Sequence, residues 1–280
     1  MNNIIIKIAG GFGNQLFMLF CGLSLGIDNN LEIILDLNSN EKIRKHFTKY
    51  TFFNSDELKK IRVKNYSNLN LIKEKNFKYN PIILNNNLSY HLNQNNSGYF
   101  QSYKYFWHNR NIIKKYINFN FEKFNYYKNI LAKYKNIISV HMRLTDYVKK
   151  SDYHYNVNMD YYKDILLKYN LTDYNIMLFS DDTILAKELI SKIVDENKIL
   201  LADDIIKDDE EQFYMMICIN IRINPNSTYS LWSCYFNEIF TENNNNTYYF
   251  PSKWFAQKGP EYNIYDLIPE DNKNFIIINV

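Results

Sequence analysis

The sequence predicts an α/β protein with parallel β-sheets. Near the start, a β-branched run, a glycine turn and an apolar helix follow one another, and the second half alternates short apolar strands with helices. That alternation favours parallel sheets. The chain has 280 residues, which exceeds the roughly 100 to 200 residues of a typical domain, so two domains or one large α/β domain are expected. The pattern changes near residue 136, which predicts one domain over residues 1–135 and another over residues 136–280.

The N-terminal elements are the clearest of the first half. Residues 3–9 predict a strand, residues 15–25 an apolar helix and residues 31–37 a second strand. Between the first strand and the helix lies a glycine turn at residues 10–14, which holds three of the 7 glycines. Residues 40–97 show only weak patterns, and residues 112–134 predict an amphipathic helix.

A second clear strand is predicted at residues 137–143. Because side chains alternate along a strand, its residues divide between two faces. One face carries Ile138, Val140 and Met142, and the other carries Ser139, His141 and Arg143. The elements predicted after it are a helix at 159–169, a strand at 175–179, a helix from 183, a strand at 199–202, a helix at 208–218, a strand at 219–223, a helix from 228 and a strand at 248–250.

Composition excludes several classes of function. The 33 basic and 30 acidic residues give a net charge of +3 without a dense basic block, which argues against nucleic-acid binding. No apolar run approaches the ~20 residues of a transmembrane helix, and the N terminus lacks a signal-peptide pattern. We expect a soluble, cytoplasmic protein. Cys21, Cys218 and Cys234 are too few and too scattered for a zinc site and predict reduced core thiols.

Functional residues are expected at the carboxyl ends of the strands, where parallel sheets bind ligands. The glycine turn permits close approach of a ligand to the backbone, although a turn that serves packing alone fits it equally well. Arg143 is suited to bidentate binding of phosphate, and His141 lies on the same face. An ion pair between Arg143 and Asp146 is the structural alternative.

Two further strand ends carry polar residues at predicted helix starts. Asp181 and Asp182 follow the strand at 175–179, where one is expected to cap the next helix and the other could accept hydrogen bonds from a nucleobase. Ser227 and Thr228 are ordinary caps as well, but small hydroxyls beside free amides also suit a phosphate. The sequence contains no Asp-x-Asp triplet. Any diphosphate would therefore be bound by arginine and amides without a metal or other cofactor.

Six segments, taken in order, resemble the α-1,2-fucosyltransferases of glycosyltransferase family 11. The segment at 141–147 is similar to the family motif His-x-Arg-Arg-x-Asp-Tyr. The six are GGFGNQLF (10–17), GYFQSYKYF (98–106), HMRLTDY (141–147), FSDD (179–182), NSTYSLW (226–232) and PSKWF (251–255).

The resemblance implies a GT-B fold, in which two Rossmann-like domains face each other across a cleft. It implies metal-independent, inverting transfer of L-fucose from GDP-β-L-fucose to the 2-hydroxyl of a galactose-like acceptor. The nucleotide sugar would bind mainly to the C-terminal domain and the glycan acceptor to the N-terminal one. Arg143 would hold the diphosphate, and Asp146 is the candidate base. The remaining donor contacts would come from His141, Gly11, Asn14, Asp181, Asp182, Ser227, Thr228 and Tyr229.

The chain departs from the family motif at two positions. Leu144 replaces the second arginine, and Thr145 replaces a glycine. Alternation predicts that Leu144 points away from Arg143, towards the core. Loss of the cation leaves open a different 6-deoxyhexose donor, such as L-rhamnose on another nucleotide, or an inactive nucleotide-sugar-binding module. A nicotinamide dehydrogenase fits less well, because the third glycine of its fingerprint is missing.

Overall fold

The computed structural model describes residues 2–37, 51–53, 55–93, 98–241 and 245–280, without the side chains of residues 93, 146 and 148. Contacts between Cα atoms divide the chain into two compact units. The first unit comprises Met1–Phe119 and Glu261–Pro269, and the second comprises Asn120–Pro260 and Glu270–Val280.

The first unit contains a parallel sheet of five strands in its described part. The strands are β1 (Asn3–Lys7), β2 (Glu32–Asp36), β3 (Lys59–Ile61), β4 (Asn70–Leu71) and β5 (Tyr90–Asn93). Their order is β3-β2-β1-β5-β4, and every pair is parallel. The helices are α1 (Phe12–Asp28) and α2 (Arg110–Ile113). The predicted strand–turn–helix–strand start is confirmed, whereas β3, β4 and β5 lie in the segment that the sequence left unassigned.

Helix α1 lies close against the sheet where Gly22 and Gly26 face the strands. A Cβ atom at Gly22 would lie 2.5 Å from Ile6, and one at Gly26 would lie 2.4 Å from Ile33. Both distances are below van der Waals contact, so alanine at either position would push the helix outward. Glycine here sets the distance between helix and sheet.

The second unit contains a parallel sheet of six strands in its described part. The strands are β6 (Ile137–Met142), β7 (Asn175–Ser180), β8 (Ile199–Leu201), β9 (Ile221–Ile223), β10 (Thr247–Pro251) and β11 (Phe275–Ile278). Their order is β11-β10-β9-β6-β7-β8, so β6 lies between β9 and β7. The helices are α3 (Phe121–Leu131), α4 (Asp146–Lys149), α5 (Met159–Leu166), α6 (Thr183–Ile190), α7 (Ala202–Ile205), α8 (Asp209–Ile217) and α9 (Thr228–Phe240).

The chain returns to the first unit near its C terminus with helix α10 (Ile264–Leu267). Asp266 attaches this helix, because its carboxylate accepts from the Tyr79 amide at 2.8 Å and pairs with Lys104 at 2.8 Å. Short 3₁₀ turns complete the described chain at Thr51–Phe53, Tyr103–Tyr105, Trp107–Asn109, Lys114–Tyr116, Leu171–Asp173 and Glu196–Lys198.

The single helix predicted over residues 112–134 is wrong. Helix α2 ends at Ile113, and the side chain of Asn120 caps α3 by accepting from the Lys123 amide at 2.9 Å. Helix α3 packs on α8 of the second unit, where the Asn120 amide donates to the Tyr214 hydroxyl at 2.8 Å and Lys123 pairs with Glu211. These contacts move the division from the expected residue 135 to the junction of Phe119 and Asn120.

A fully buried cation holds the centre of the second unit. Arg222 on β9 donates to the carbonyl oxygens of Ile219 at 2.5 Å and of Ile217 at 2.8 Å. Its guanidinium also lies 4.8 Å from the Tyr248 ring centroid. Ile217 ends α8, so the cation lies at the negative end of that helix. Arg222 thereby fixes the helix against the sheet.

We expect Arg222→Met to lower the free energy of unfolding by about 3 kcal/mol, because buried carbonyl groups lose their donors. Urea denaturation measures the change. Lys192→Met is the control, since Lys192 pairs with Glu188 in an exposed i,i+4 contact and its loss should cost less than about 0.5 kcal/mol. Equal midpoints for the two variants would contradict the structural role of Arg222.

Candidate functional site

Strand β6 presents its side chains on two faces, as predicted. Ile138, Val140 and Met142 belong to one buried apolar cluster. Ser139 and His141 are buried on the opposite face. Since β6 is a central strand of the sheet, residues that follow its carboxyl end are held on a rigid base.

His141 is 5% exposed, and the edge of its ring faces the Tyr229 ring at 6.1 Å. Its Nδ1 atom has no hydrogen-bond partner among the described residues. Burial, assisted by the charge of Arg143 and opposed by Asp181, lowers the pKa of His141 to about 3. The imidazole is therefore neutral near pH 7. Two of the residues expected to contact the donor, His141 and Tyr229, therefore lie close together.

Arg143 follows β6 directly, and its side chain remains 29% exposed although its Nε atom is buried. Its Nη1 atom lies 3.5 Å from Oδ2 of Asp181, and its Cζ atom lies 5.4 Å from the Tyr147 ring centroid. The sequence also offered Asp146 as an ionic partner of Arg143. The Asp146 side chain lies outside the described residues, and so the proposed base remains a prediction.

Asp181 holds the turn that follows Arg143. Its Oδ1 atom accepts from the Leu144 amide at 2.7 Å, and its Oδ2 atom accepts from the Thr145 hydroxyl at 2.5 Å and from the Thr145 amide at 3.4 Å. Burial opposes ionisation, but these hydrogen bonds and the charge of Arg143 keep the pKa of Asp181 below its usual value. The carboxylate connects the ends of the neighbouring strands β6 and β7.

Asp182 is the helix cap, as expected for one member of the acidic pair. Its Oδ1 atom accepts from the Leu185 amide at 3.1 Å at the start of α6. The two adjacent aspartates therefore have different partners: Asp182 binds its own helix, and Asp181 binds the turn after the neighbouring strand.

The start of helix α9 is anchored from three directions. The Nδ2 atom of Asn226 donates to the main-chain carbonyl oxygens of Tyr155 at 2.9 Å and Trp254 at 2.6 Å. The main-chain carbonyl of Asn226 accepts from the Tyr147 hydroxyl at 3.0 Å. Ser227 occupies the cap position, is 5% exposed and makes no side-chain capping bond. The polar end of a helix of 13 residues thus lies in the neighbourhood of Arg143.

Tyr147 connects these parts of the site. Its ring lies beside Arg143, its hydroxyl donates to the main-chain carbonyl of Asn226, and its ring stacks on that of His154 with centroids 4.2 Å apart and an interplanar angle of 3°. A small pocket adjoins it, and its wall includes Arg143, Pro225 and Asn226. No role was predicted for Tyr147 and Asn226, although both lie in motif segments.

The two departures from the family motif fit the local structure. Leu144 packs against the apolar cluster of β6, as predicted from alternation. Among the described non-glycine residues, a positive φ occurs at Asn30 and Phe100 and not at Thr145. Threonine in place of glycine therefore causes no backbone strain there, and its hydroxyl gains a bond to Asp181.

The glycine turn of the first unit contacts the aromatic motif at 98–106. Gly10 has φ of 81°, and a Cβ there would overlap the Tyr99 ring. Asn14 accepts through Oδ1 from the Gln101 side chain at 2.7 Å. Gly11 has no atom within 4 Å of where its Cβ would lie, so packing among the described residues does not require glycine at this position.

The Glu74 carboxylate binds the backbone of the aromatic motif. The Tyr99 amide donates to its Oε2 atom at 3.0 Å, and the amides of Phe100 and Gln101 also donate to this carboxylate. Burial raises the pKa of Glu74 to about 7, against the effect of the three amides. No sequence motif pointed to this residue, because it lies in the segment without a clear pattern.

Comparison with known proteins identifies the family. The sequence profile described as glycosyl transferase family 11 matches residues 23–275. The chain belongs to glycosyl transferase family 11. The matched range contains five of the six motif segments, and the glycine turn precedes it. No curated protein matches this family 11 chain.

Solved structures show that this family 11 protein has the GT-B fold. The fucosyltransferase NodZ from Bradyrhizobium has a TM-score of 0.51 at 11% identity, over 83% of this chain and 91% of NodZ. A family 9 glycosyl transferase from Veillonella parvula has a TM-score of 0.51 at 6% identity, over 99% of this chain and 87% of that protein. The predicted α/β fold of two Rossmann-like domains is confirmed.

Two further observations concern the expected partners. In the described part of this family 11 chain, no helix combines the length and apolar character needed to cross a bilayer. Across residues 2–37, 51–53, 55–93, 98–241 and 245–280, no three His, Cys, Asp or Glu side chains are grouped as metal ligands would be. The cysteines are free thiols, and Cys21 and Cys234 are buried, as predicted.

We expect His141 to make the protein less stable in acid. Unfolded histidine takes up a proton below pH 6.5, whereas the folded residue has a pKa of about 3, so stability present at pH 7 is lost as the pH falls towards 3. Between pH 7 and pH 5 the free energy of unfolding should fall by about 2 kcal/mol more in the wild type than in His141→Asn. Urea denaturation at both pH values measures this, and equal falls would show that His141 is not buried as a neutral ring.

Proposed function

We propose that this glycosyltransferase moves L-fucose from GDP-β-L-fucose to the 2-hydroxyl of a galactose-like acceptor, with inversion at the anomeric carbon and without a metal. Family membership and the ordered motif segments support the donor and the linkage. One observation carries the proposal: Arg143 directly follows a central strand, and Tyr147 contacts both Arg143 and Asn226, which lies just before the polar start of α9. A guanidinium and a helix N-terminus are the two groups that proteins commonly use for diphosphates.

The reaction places negative charge where these groups lie. As the bond between the anomeric carbon and the diphosphate oxygen breaks, the sugar gains oxocarbenium character and GDP takes the electron pair. Arg143 and the amides of α9 would stabilise that charge more strongly in the transition state than in the bound donor. One such donor in a water-poor site contributes about 3 kcal/mol to lowering the barrier.

The other predicted residues are assigned around this diphosphate. His141 is neutral, so it can bind the donor through a hydrogen bond without adding a charge. Ser227 and Thr228, at the start of α9, would bind phosphate, and Tyr229 would lie towards the ribose. Asp182 is our candidate for the guanine edge. Gly11 and Asn14 stay predictions for the donor.

The acceptor and the linkage rest on the motif resemblance. NodZ, whose structure was also solved after soaking with GDP-fucose, is an α-1,6-fucosyltransferase. At 10% identity, its similarity to this chain supports a common fold but not a common linkage. The first unit is proposed to bind the acceptor. Nuclear magnetic resonance of the product, made from a galactose-terminated acceptor, determines which hydroxyl receives the fucose.

The donor is tested by turnover of a panel of nucleotide sugars. GDP-fucose should be consumed, and UDP- and dTDP-L-rhamnose should not. Leu144 is partly buried against the apolar cluster of β6 and also lines the pocket that includes Arg143, so the panel tests whether its presence changes the choice of donor. Turnover of a rhamnose donor alone, or binding of GDP with no turnover of any donor, would replace the proposal with the corresponding alternative.

We expect Arg143→Ala to lower kcat at least 100-fold, because the leaving diphosphate loses its cation. Transfer from radiolabelled GDP-fucose measures the change. Lys192→Ala, which removes an exposed cation, should match the wild type. Arg143→Ala with more than about a tenth of wild-type activity would disprove the assignment of Arg143 to the diphosphate.

The proposed base is tested separately. If Asp146 accepts the proton of the acceptor hydroxyl, Asp146→Asn should lower kcat and remove the acidic limb of its pH profile. A variant with the kcat and pH profile of the wild type would exclude Asp146 as the base. The reaction would then proceed with proton transfer to water or to the departing diphosphate.

A further inference from the structure

We propose that Asp181 is a positioning residue: its carboxylate fixes the turn at Leu144 and Thr145 and so directs the Arg143 guanidinium towards the donor diphosphate. The inference rests on the proposed function of Arg143. It assigns Asp181 a role different from the guanine contact that the sequence suggested.

The contacts of Asp181 carry this inference. Both carboxylate oxygens accept hydrogen bonds from the two residues that follow Arg143, at 2.7 Å from the Leu144 amide and 2.5 Å from the Thr145 hydroxyl. The Asp181 side chain is only 17% exposed. A carboxylate engaged in this way is poorly placed to accept from a nucleobase as well, because its oxygens already face the protein.

The contact between Asp181 and Arg143 is long enough to orient the guanidinium without forming a strong hydrogen bond to it. At 3.5 Å, the separation of Nη1 and Oδ2 exceeds the 2.7 to 2.9 Å of a strong charged hydrogen bond. Arg143 has five N–H donors in a fixed planar group, and 29% of its side chain is exposed. The anion at Asp181 attracts one edge of the guanidinium and so holds its direction.

Thr145 is the part of this arrangement that is particular to this chain. Where the family motif has glycine, its hydroxyl supplies one of the bonds to Asp181. Leu144 contributes through its amide while its side chain anchors the turn in the core. The two departures from the motif therefore both act on the position of Arg143.

The experiment is a double-mutant cycle on Arg143 and Asp181, with GDP binding followed by nuclear magnetic resonance titration. Asp181→Asn can still accept from the Leu144 amide but loses the charge. We expect it to weaken GDP binding about tenfold, a coupling common for contacting residues. In the Arg143→Ala background the same substitution should have no further effect. Glu188→Gln, which removes an exposed carboxylate on α6, should bind GDP as the wild type does.

Inorganic pyrophosphate separates positioning from base recognition. A positioning role predicts that Asp181→Asn weakens pyrophosphate and GDP by the same factor. Thr145→Val should weaken both ligands and Thr145→Ser should restore them, because serine keeps the hydroxyl. Melting temperatures of these variants close to the wild-type value would confirm that they fold.

Several results would overturn the inference while Arg143 remains the diphosphate ligand. These are unchanged or tighter GDP binding in Asp181→Asn, a loss for GDP without a loss for pyrophosphate, additive effects in the cycle, or Thr145→Ser as weak as Thr145→Val. If instead the wild type and Arg143→Ala bind GDP equally, the proposed function fails, and the role of Asp181 fails with it.

Discussion

The carboxylate of Asp181 determines how the chain leaves strand β6, and the geometry of the candidate site depends on that contact. Strand β6 ends with its apolar side chains in the core and its polar ones on the opposite face. Arg143 lies in the turn that follows this strand. Asp181, at the end of the neighbouring strand, accepts hydrogen bonds from the next two residues, Leu144 and Thr145. A parallel pair of strands thus supplies a cation and the group that orients it.

Burial and hydrogen bonding set the charges around this contact. His141 stays neutral because it is buried beside a cation. Asp181 stays ionised because amides, a hydroxyl and the guanidinium surround it. The Arg143 side chain is 29% exposed and the Asp181 side chain 17%. Arg143 is the cation proposed to bind the diphosphate, with His141 and Asp181 close to it.

The sequence predicted the parts of the fold that follow simple periodic patterns. Strand β6, its two faces and the packing of Leu144 all followed from alternation, and Asp182 followed from the preference of aspartate for helix caps. Strands β3 and β4 span three and two residues, too few for a period to be visible. The prediction of one helix at 112–134 was wrong because Asn120 caps a separate helix, α3, which begins at Phe121.

The site was predicted at the level of residue types, but the partners of those residues were not. The roles of Asp181, Tyr147 and Asn226 depend on contacts between residues 36 to 79 positions apart in the chain, which no local pattern encodes. Arg143 and the start of α9 are proposed to form the diphosphate site, and a crystal structure of the complex with GDP is the most direct test. We expect phosphate oxygens at about 2.7 to 3.2 Å from the Arg143 guanidinium and from the first amides of α9. GDP bound elsewhere, with Arg143 facing Asp181 alone, would contradict it.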